Sequence, residues 1–181
     1  MADFQLETAR LILRRWREAD CASFASMNAD PEVMRYFPAI QSREQSDASA
    51  ARIDAHFDEH GVGLFALEEK DSGAFIGFTG FQTVSIECPI QGDLEIGWRL
   101  ARPWWRRGLA FEAASACLDW MWQRQNLPLV VSMTAAINTP SRGLMEKLGL
   151  AHRLELDFQH PGIDARSPIN PHVVYVEDRI Q

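Results

Sequence analysis

Four arginines stand close together in a chain whose overall charge is negative. Residues 99–107 contain Arg99, Arg102, Arg106 and Arg107 and no acid, whereas the chain of 181 residues has a formal net charge of −7. Gly108 follows, and the segment beyond it is predicted to be a helix. Free amide groups at a helix start, the helix dipole and guanidinium groups would converge there, which suits a phosphate or pyrophosphate. A solvated arginine loop is the alternative.

An acidic residue precedes these arginines on a predicted strand. Residues 94–100 alternate in hydropathy, and Glu95 lies one position from Ile96, on the opposite face. A carboxylate in this position could reach a cleft and accept a proton, directly or through water. Glu95 is therefore a candidate general base or substrate contact, and a surface carboxylate is the alternative.

Local signals divide the N-terminal part of the chain into strands and helices. Ser42 and Gln45 fit a capping box at a helix start, and Asp30-Pro31 ends an earlier helix because proline disfavours helical geometry in the residue before it. The turn sequence Asp71-Ser72-Gly73 predicts a hairpin. The predicted elements are a strand at 9–16, a helix at 18–28, a short helix and loop at 31–41, a helix from 42 to about 60, and strands at 64–70 and 74–84.

The C-terminal part of the chain is also predicted to alternate between strands and helices. Pro140 suits a first helical position and Gly149 a helix stop. The predicted elements are a strand at 94–100, a helix at 111–123, a strand at 129–134, a helix from about 139 to 149, and strands separated by Pro-rich loops in the last thirty residues. The order β-α-α-β-β-β-α-β-α-β-β predicts an α/β (α+β) protein, with a mixed sheet and helices on its faces.

Composition limits the possible partners. The length predicts a single domain over residues 1–181. The negative charge disfavours nucleic acid and anionic membrane surfaces, and the sequence lacks both a secretory start and an apolar run long enough to span a membrane. Cys21, Cys88 and Cys117 lack the spacing of a disulfide framework or zinc site. We therefore expect a soluble cytoplasmic protein without a metal.

Two common nucleotide-binding motifs are excluded. No G-K-[ST] occurs near the arginines, so the loop is not a Walker A motif. The near match to a dinucleotide motif at residues 61–66 follows a predicted helix and enters a predicted strand, which is the wrong order for a Rossmann turn. A helix stop explains those glycines.

The arginine loop resembles a known family. The run Trp105-Arg106-Arg107-Gly108-Leu109-Ala110 is similar to the pyrophosphate loop Q/R-x-x-G-x-G/A of the GNAT superfamily of N-acetyltransferases. Tryptophan replaces the usual first residue, as is common in proteins similar to the RimJ/RimL branch. The resemblance extends along the chain through Leu6-Glu7-Thr8-Ala9-Arg10-Leu11, Asp30-Pro31-Glu32-Val33-Met34, Gly77-Phe78-Thr79-Gly80, Glu95-Ile96-Gly97-Trp98 and Met145-Glu146-Lys147-Leu148-Gly149.

The resemblance implies a fold and a cofactor site. The fold is GNAT-like, with a mixed, mostly antiparallel, V-splayed central sheet and helices on both faces. The donor is acetyl-CoA, a co-substrate, and backbone amides of residues 96–100 would stabilise the oxyanion. The implied cofactor-binding residues are Ile96, Gly97, Trp98, Arg99, Leu100, Trp105, Arg106, Arg107, Gly108, Leu109, Ala110, Asn138 and Ser141.

The resemblance also suggests catalytic roles. A glutamate at the position of Glu95 is often the proposed base, and Asn138 matches an asparagine that contacts the CoA arm. Met145 stands where many members have a tyrosine that protonates the thiolate, so Ser141 is the nearest substitute. Caps and first-turn hydroxyls are the ordinary structural roles of Asn138 and Ser141. Tyr36 is a candidate acceptor contact, although aromatic residues are usually core.

The predicted function is therefore direct acetyl transfer from acetyl-CoA to a primary amine, without an acyl-enzyme. The acceptor would be a protein N-terminal α-amine or a small-molecule amine, and the protein would be a monomer or homodimer. Two alternatives remain open. The chain could be a non-catalytic acyl-CoA-binding sensor or regulatory module, which Met145 favours, or a different fold that binds a nucleotide through the arginine loop.

Overall fold

The computed structural model describes residues 5–179, and a nine-stranded sheet organises them. All neighbouring strands are antiparallel except one pair in the middle. The strands are β1 (Gln5–Glu7), β2 (Leu11–Arg14), β3 (Leu64–Glu69), β4 (Phe75–Thr83), β5 (Leu94–Leu100), β6 (Leu129–Ala135), β7 (Ala151–His152), β8 (Phe158–Gln159) and β9 (Pro171–Asp178).

Four α-helices connect these strands. The predicted capping box is present, since the Ser42 hydroxyl accepts from the Gln45 amide and the Gln45 side chain accepts from the Ser42 amide. Gly149 ends the last helix with a left-handed φ of 97°. The helices are α1 (Asp20–Ala29), α2 (Arg43–His60), α3 (Leu109–Arg124) and α4 (Thr139–Leu148), and short 3-10 helices occur at Arg102–Trp104 and Leu154–Leu156.

The sheet opens between its two central strands. Its order is β1-β2-β3-β4-β5-β6-β9-β7, and β8 pairs with β9. Strands β4 and β5 pair over the whole of β5, whereas β5 and β6 run parallel and share only the register pair Glu95 and Val131. Beyond that pair the two strands diverge, so backbone groups on the facing edges lack a neighbouring strand.

Apolar clusters cover the two faces of the sheet. On one face, Ala113, Cys117 and Met121 of α3 pack in a cluster with Ile96 and Leu100 of β5. A second cluster joins Phe24, Met27, Val33 and Ala50 to Leu64 and Phe78. Because successive strand residues face opposite ways, Glu95, Gly97 and Arg99 project toward the α1–α2 side. The catalytic candidate and the first arginine therefore share a face.

The predicted element order and fold class are confirmed. The mixed, mostly antiparallel sheet has helices on both faces, and α2 and α4 begin and end as predicted. The helix predicted at 111–123 is longer, Leu109–Arg124, and residues 31–41 form turns in place of the predicted short helix. The sequence did not resolve β1 as a separate strand, nor the two-residue strands β7 and β8. Over residues 5–179, no helix combines the length and the hydrophobicity that crossing a membrane requires.

Candidate active site

A cavity of about 1170 Å³ passes through the opening between β5 and β6. One end reaches the start of α3 and α4, and the other reaches the loop between α1 and α2 and the C-terminal loop before β9. The described residues therefore line one continuous cavity on both sides of this opening.

The loop before α3 is shaped to present backbone amides. Arg106 has a φ of 60°, and Gly108, the N-cap of α3, has a φ of 76°. A left-handed conformation is rare for arginine, so this backbone is held by its surroundings. No side chain of residues 5–179 caps α3, and the first-turn amides keep their hydrogen-bonding capacity. Together with the helix dipole, they form a site suited to a phosphate.

A carboxylate on α3 fixes this loop to the N-terminal segment. Glu112 accepts hydrogen bonds from the Thr8 hydroxyl at 2.6 Å and from the Arg10 amide at 2.8 Å, and it forms an ion pair with the Arg10 guanidinium at 2.7 Å. Arg10 also donates to the Arg107 carbonyl at 2.9 Å. Burial opposes ionisation of Glu112, but these bonds outweigh it and lower its pKa. Neither spacing nor local pattern had indicated a positioning role for Thr8, Arg10 or Glu112.

The diverging edge of β5 supplies further donors. The Ser132 hydroxyl donates to the Ile96 carbonyl at 2.9 Å, so the backbone of Ile96 faces β6. Backbone groups alternate sides along a strand, so Trp98 and Leu100 face the same way. The Leu100 carbonyl accepts from the Trp105 indole at 2.7 Å. The N–H of Trp98 therefore faces the opening, where β5 and β6 have diverged and no strand of the described sheet pairs with it.

Glu95 lies at the narrow end of this opening. Its side chain is buried, with the residue 6% exposed, and it accepts a hydrogen bond from the Gln82 amide at 2.9 Å. Burial raises the pKa of Glu95 to about 7, although hydrogen bonds from Gln82 and the Met133 backbone oppose the shift. A carboxyl with such a pKa can accept a proton near neutral pH.

The start of α4 lies across the opening from β5. The Asn138 side chain caps the helix by accepting from the Ser141 amide at 3.3 Å, and it also donates to the Thr134 hydroxyl at 2.8 Å. Among residues 5–179, no hydrogen bond involves the Ser141 hydroxyl, which lines the cavity. Met145 is 1% exposed and offers no proton donor. Ser141 is thus available for proton transfer.

The other end of the cavity is aromatic and basic. Tyr36 and Phe37 line it from the α1–α2 loop, and the Arg99 guanidinium lies 4.0 Å from the Phe37 ring centroid. His160 and His172 line the opposite wall, with ring centroids 4.8 Å apart, and burial lowers the pKa of both. The sequence assigned these histidines no catalytic role and gave no sign that they meet.

The structure brings most of the predicted site residues together around the cavity. Two do not line it: Ile96 is fully buried in the core, and Arg107 stacks its guanidinium 5.0 Å from the Trp104 ring centroid. The predicted residues that line the cavity are Tyr36, Glu95, Gly97, Trp98, Arg99, Leu100, Trp105, Arg106, Gly108, Leu109, Ala110, Asn138 and Ser141. Within residues 5–179, no group of three or more potential ligands is placed to hold a metal ion.

Comparisons with known proteins agree with this geometry. The acetyltransferase (GNAT) domain profile matches residues 10–151. The chain is 31% identical to the uncharacterized protein YkkB of Bacillus subtilis over 150 residues, 82% of this chain and 86% of YkkB. It is 30% identical to the uncharacterized N-acetyltransferase p20 of Bacillus licheniformis over 148 residues, 79% of this chain and 80% of that protein.

Solved structures share the fold. An acetyltransferase from Agrobacterium tumefaciens superposes with a TM-score of 0.79 at 24% identity, covering 99% of this chain and 96% of that one. RimL, a ribosomal L7/L12 α-N-protein acetyltransferase in complex with coenzyme A, superposes with a TM-score of 0.78 at 12% identity, covering 97% and 98%. At these identities the likeness concerns the fold alone.

Proposed function

The chain belongs to the GNAT acetyltransferases, and we propose that it transfers an acetyl group from acetyl-CoA directly to a primary amine. The observation that carries this proposal is the buried Glu95 carboxyl, with a pKa of about 7, beside the opening between β5 and β6. In the proposal, residues 1–181 form one acyltransferase domain, and the acceptor is a small-molecule amine or a protein N-terminal α-amine.

The arginine loop and the start of α3 would hold the donor. The first-turn amides of α3 would bind the pyrophosphate, with Arg106 and Gly108 shaping the loop around it. The acyl arm would then extend along the diverging edge of β5. There the Trp98 amide would donate to the thioester oxygen and stabilise the negative charge that develops on it.

Proton transfer would involve both sides of the opening. The acceptor ammonium must lose a proton before its nitrogen can attack the thioester carbon, and Glu95 accepts that proton directly or through one water. The C–N bond forms and leaves a second proton on the attacking nitrogen. As the C–S bond breaks, the departing thiolate takes a proton from a donor on the α4 side, and the proton lost from nitrogen passes through solvent to restore that donor. Ser141 is the proposed donor because its hydroxyl lines the cavity on the α4 side. No acyl-enzyme is needed.

An assay of thiol release tests this proposal. Acetyl-CoA is mixed with the protein and a panel of primary amines and N-terminal peptides, and free CoA thiol is measured against an acceptor-free control. We expect release with at least one acceptor, and we expect Glu95→Gln to lower it. Ser141→Ala tests the proton donor, and unchanged rates in both variants would contradict these assignments.

A binding measurement separates catalysis from a sensor role. A ligand that binds the folded state raises its melting temperature, so CoA should raise it whereas ATP and NAD should not. Met145 favours the sensor as the competing function, because that position lacks a proton donor and is buried. A melting shift with CoA, combined with no thiol release above background for any acceptor, would support the sensor and reject the transferase.

A further inference from the structure

Arg99 is a positive charge in the cavity whose guanidinium has no counter-charge among the described residues. Arg99 projects from β5 on the same face as Glu95 and lines the cavity near the α1–α2 loop. Among residues 5–179, no carboxylate lies within ion-pair distance of its guanidinium, and its buried Nε has no hydrogen-bond partner. Burial lowers the pKa of Arg99 to about 10, so the side chain remains charged near neutral pH. An unneutralised buried charge is costly unless a ligand compensates it.

A neutral amide holds this guanidinium in place. Arg99 donates from Nη1 to the Asn28 side-chain oxygen at 2.7 Å. The Asn28 nitrogen donates to the Gln41 side chain at 3.1 Å and to the Ser46 hydroxyl at 2.9 Å, and Asn28 is fully buried. These bonds fix the Asn28 oxygen toward Arg99. An aspartate would have neutralised the guanidinium, whereas asparagine orients it and leaves its charge available.

Aromatic rings further restrict the guanidinium. Arg99 lies 4.0 Å from the Phe37 ring centroid and 5.3 Å from that of Phe78. Stacking occupies the faces of the planar group and leaves its edge, where the N–H groups are, for hydrogen bonds. A carboxylate fits such an edge with two parallel bonds.

We propose that Arg99 binds a carboxylate of the acceptor, so that the second substrate is an amine that also carries a carboxylate, such as a free amino acid. The inference rests on the proposed acetyl transfer and names its substrate class. The amine faces Glu95 and the carboxylate faces Arg99. Since the two residues are four positions apart on one strand, their Cα atoms lie about 13 Å apart, and the acceptor occupies the space between their side chains.

Matched acceptors test the proposal. Initial rates of acetyl transfer are compared for alanine and alaninamide, for glycine, β-alanine and γ-aminobutyrate, and for peptides that begin with aspartate or asparagine. Wild-type kcat/KM should favour carboxylate acceptors at least about tenfold over their amides. The ω-amino acid series measures the preferred distance between amine and carboxylate, and the peptide pair distinguishes a free amino acid from an acidic N-terminus.

Substitution of Arg99 then tests whether this residue causes the preference for carboxylate acceptors. The family resemblance implied a cofactor contact for Arg99, but its guanidinium lies against Asn28 and Phe37, away from the start of α3. Arg99→Met should therefore raise KM for the carboxylate acceptor and bring the ratio of kcat/KM for carboxylate and amide acceptors near one, with KM for acetyl-CoA unchanged. Arg99→Lys should retain part of the preference. Arg52→Met is the matched control, because it removes a positive charge from an exposed residue of the same cavity. The ratio of kcat/KM for carboxylate and amide acceptors in Arg52→Met should match that of the wild type. A wild-type ratio near one, or equal loss with both acceptors in Arg99→Met, would overturn the inference.

A binding test works even if no acceptor is turned over. In the presence of CoA, N-acetylalanine should raise the melting temperature of the wild type more than N-acetylalaninamide does, and Arg99→Met should abolish that difference. Acetyl transfer that ignores the carboxylate rejects this inference alone. Absence of transfer to any amine rejects the proposed function, and the melting difference then decides whether Arg99 binds the carboxylate.

Discussion

Two arginines in this protein, Arg14 in the interior and the half-buried Arg99 in the cavity, are held in opposite ways. Arg14 on β2 is 5% exposed and forms a bidentate pair with Asp20 at 2.7 and 2.8 Å, and it donates to Glu68 at 2.7 Å. The Asp20 bonds are the main cause that raises the pKa of Arg14. Arg99 on β5 meets the neutral amide of Asn28, and burial lowers its pKa.

Charged groups that support the fold are paired with opposite charges, whereas charged groups in the cavity are held by neutral side chains. The cluster of Arg14, Asp20 and Glu68 neutralises its charges within the protein and ties the start of α1 to β2 and β3. In the cavity, Glu95 is held by Gln82 and Arg99 by Asn28, and both partners are uncharged carboxamides. A carboxamide orients a charged group without cancelling it. Charges held this way remain available to substrates, at a cost in stability.

The largest expected effect comes from removing the charge of Glu95. Glu95→Gln keeps the size of the side chain and removes the proposed base, so the rate should fall about 10²- to 10⁴-fold. The same substitution should increase the stability of the folded protein at neutral and higher pH. Burial raises the pKa of Glu95 to about 7, so the folded state holds a proton that the unfolded chain, with its carboxyl near 4.5, releases. The wild type thus loses stability as pH rises from about 4.5 to 7, on the order of 3 kcal/mol above that window.

Urea unfolding of both proteins at pH 5 and pH 8 checks the second half of this prediction. Glu95→Gln should gain stability relative to the wild type at pH 8 and much less at pH 5. A variant that is inactive and also less stable at pH 8 would show that Glu95 serves the fold, and the contrast with the Arg14 cluster would fail.

The next largest effect compares the two arginines directly. Arg14→Met leaves the buried Asp20 and Glu68 carboxylates without their partner and should lower the free energy of unfolding by about 3–5 kcal/mol. Arg99→Met removes an uncompensated charge together with one hydrogen bond to a neutral group, so its free energy of unfolding should change by about 1 kcal/mol or less. Urea titration of both variants measures the difference.

An exposed ion pair is the control for that experiment. Arg43 and Asp47 pair at 2.8 Å on the surface of α2, and Arg43→Met should leave the free energy of unfolding nearly unchanged. Equal destabilisation by Arg14→Met and Arg99→Met would mean that both arginines are structural, and the distinction between them would then be lost.

A smaller effect concerns the pH at which the enzyme becomes active. The rate should rise with pH through about 7, as Glu95 loses its proton. The Gln82 bond lowers the pKa of Glu95, so Gln82→Leu should move the profile to higher pH. The same acceptor is used for both proteins, so that titration of the amine is common to both. A profile that does not move would assign Gln82 no influence on the charge of Glu95.

The smallest effect should come from Glu112, which is paired and only partly buried. Its side chain is 19% exposed and that of Arg10 is 49% exposed. Glu112→Gln should loosen the loop before α3 and raise KM for acetyl-CoA about fivefold, equivalent to about 1 kcal/mol, with little change in kcat. A loss of kcat at unchanged KM would place Glu112 in catalysis instead of cofactor positioning.

Signals within a few residues of one another predicted the fold well. The capping box at Ser42 and the stop at Gly149 depend on bonds inside one helix turn, so the sequence contains the whole interaction. Gly108 was likewise recognisable, because the left-handed φ of 76° at this helix start suits glycine. These local features placed the strand, loop and helix on which the cofactor end of the site depends.

Contacts between distant segments were not predictable in the same way. Arg99 and Asn28 are separated by 71 positions, and Glu112 and Thr8 by 104. Each partner alone looks like an ordinary polar residue, and only the tertiary fold brings them together. Glu95 was recognised as a candidate base, but its pKa depends on burial under the α1–α2 side of the sheet, which periodicity does not specify.

The single register pair between β5 and β6 has a mechanical consequence. Strands β1–β5 and the β6–β9 group share a single register pair, Glu95 and Val131, which is the fewest between any two neighbouring strands of the described sheet. An acyl carrier that hydrogen-bonds along both edges would act as a substitute strand and join the two halves. Loading the donor would then slow amide hydrogen exchange along both facing edges, and the protein would become rigid as it becomes competent to react.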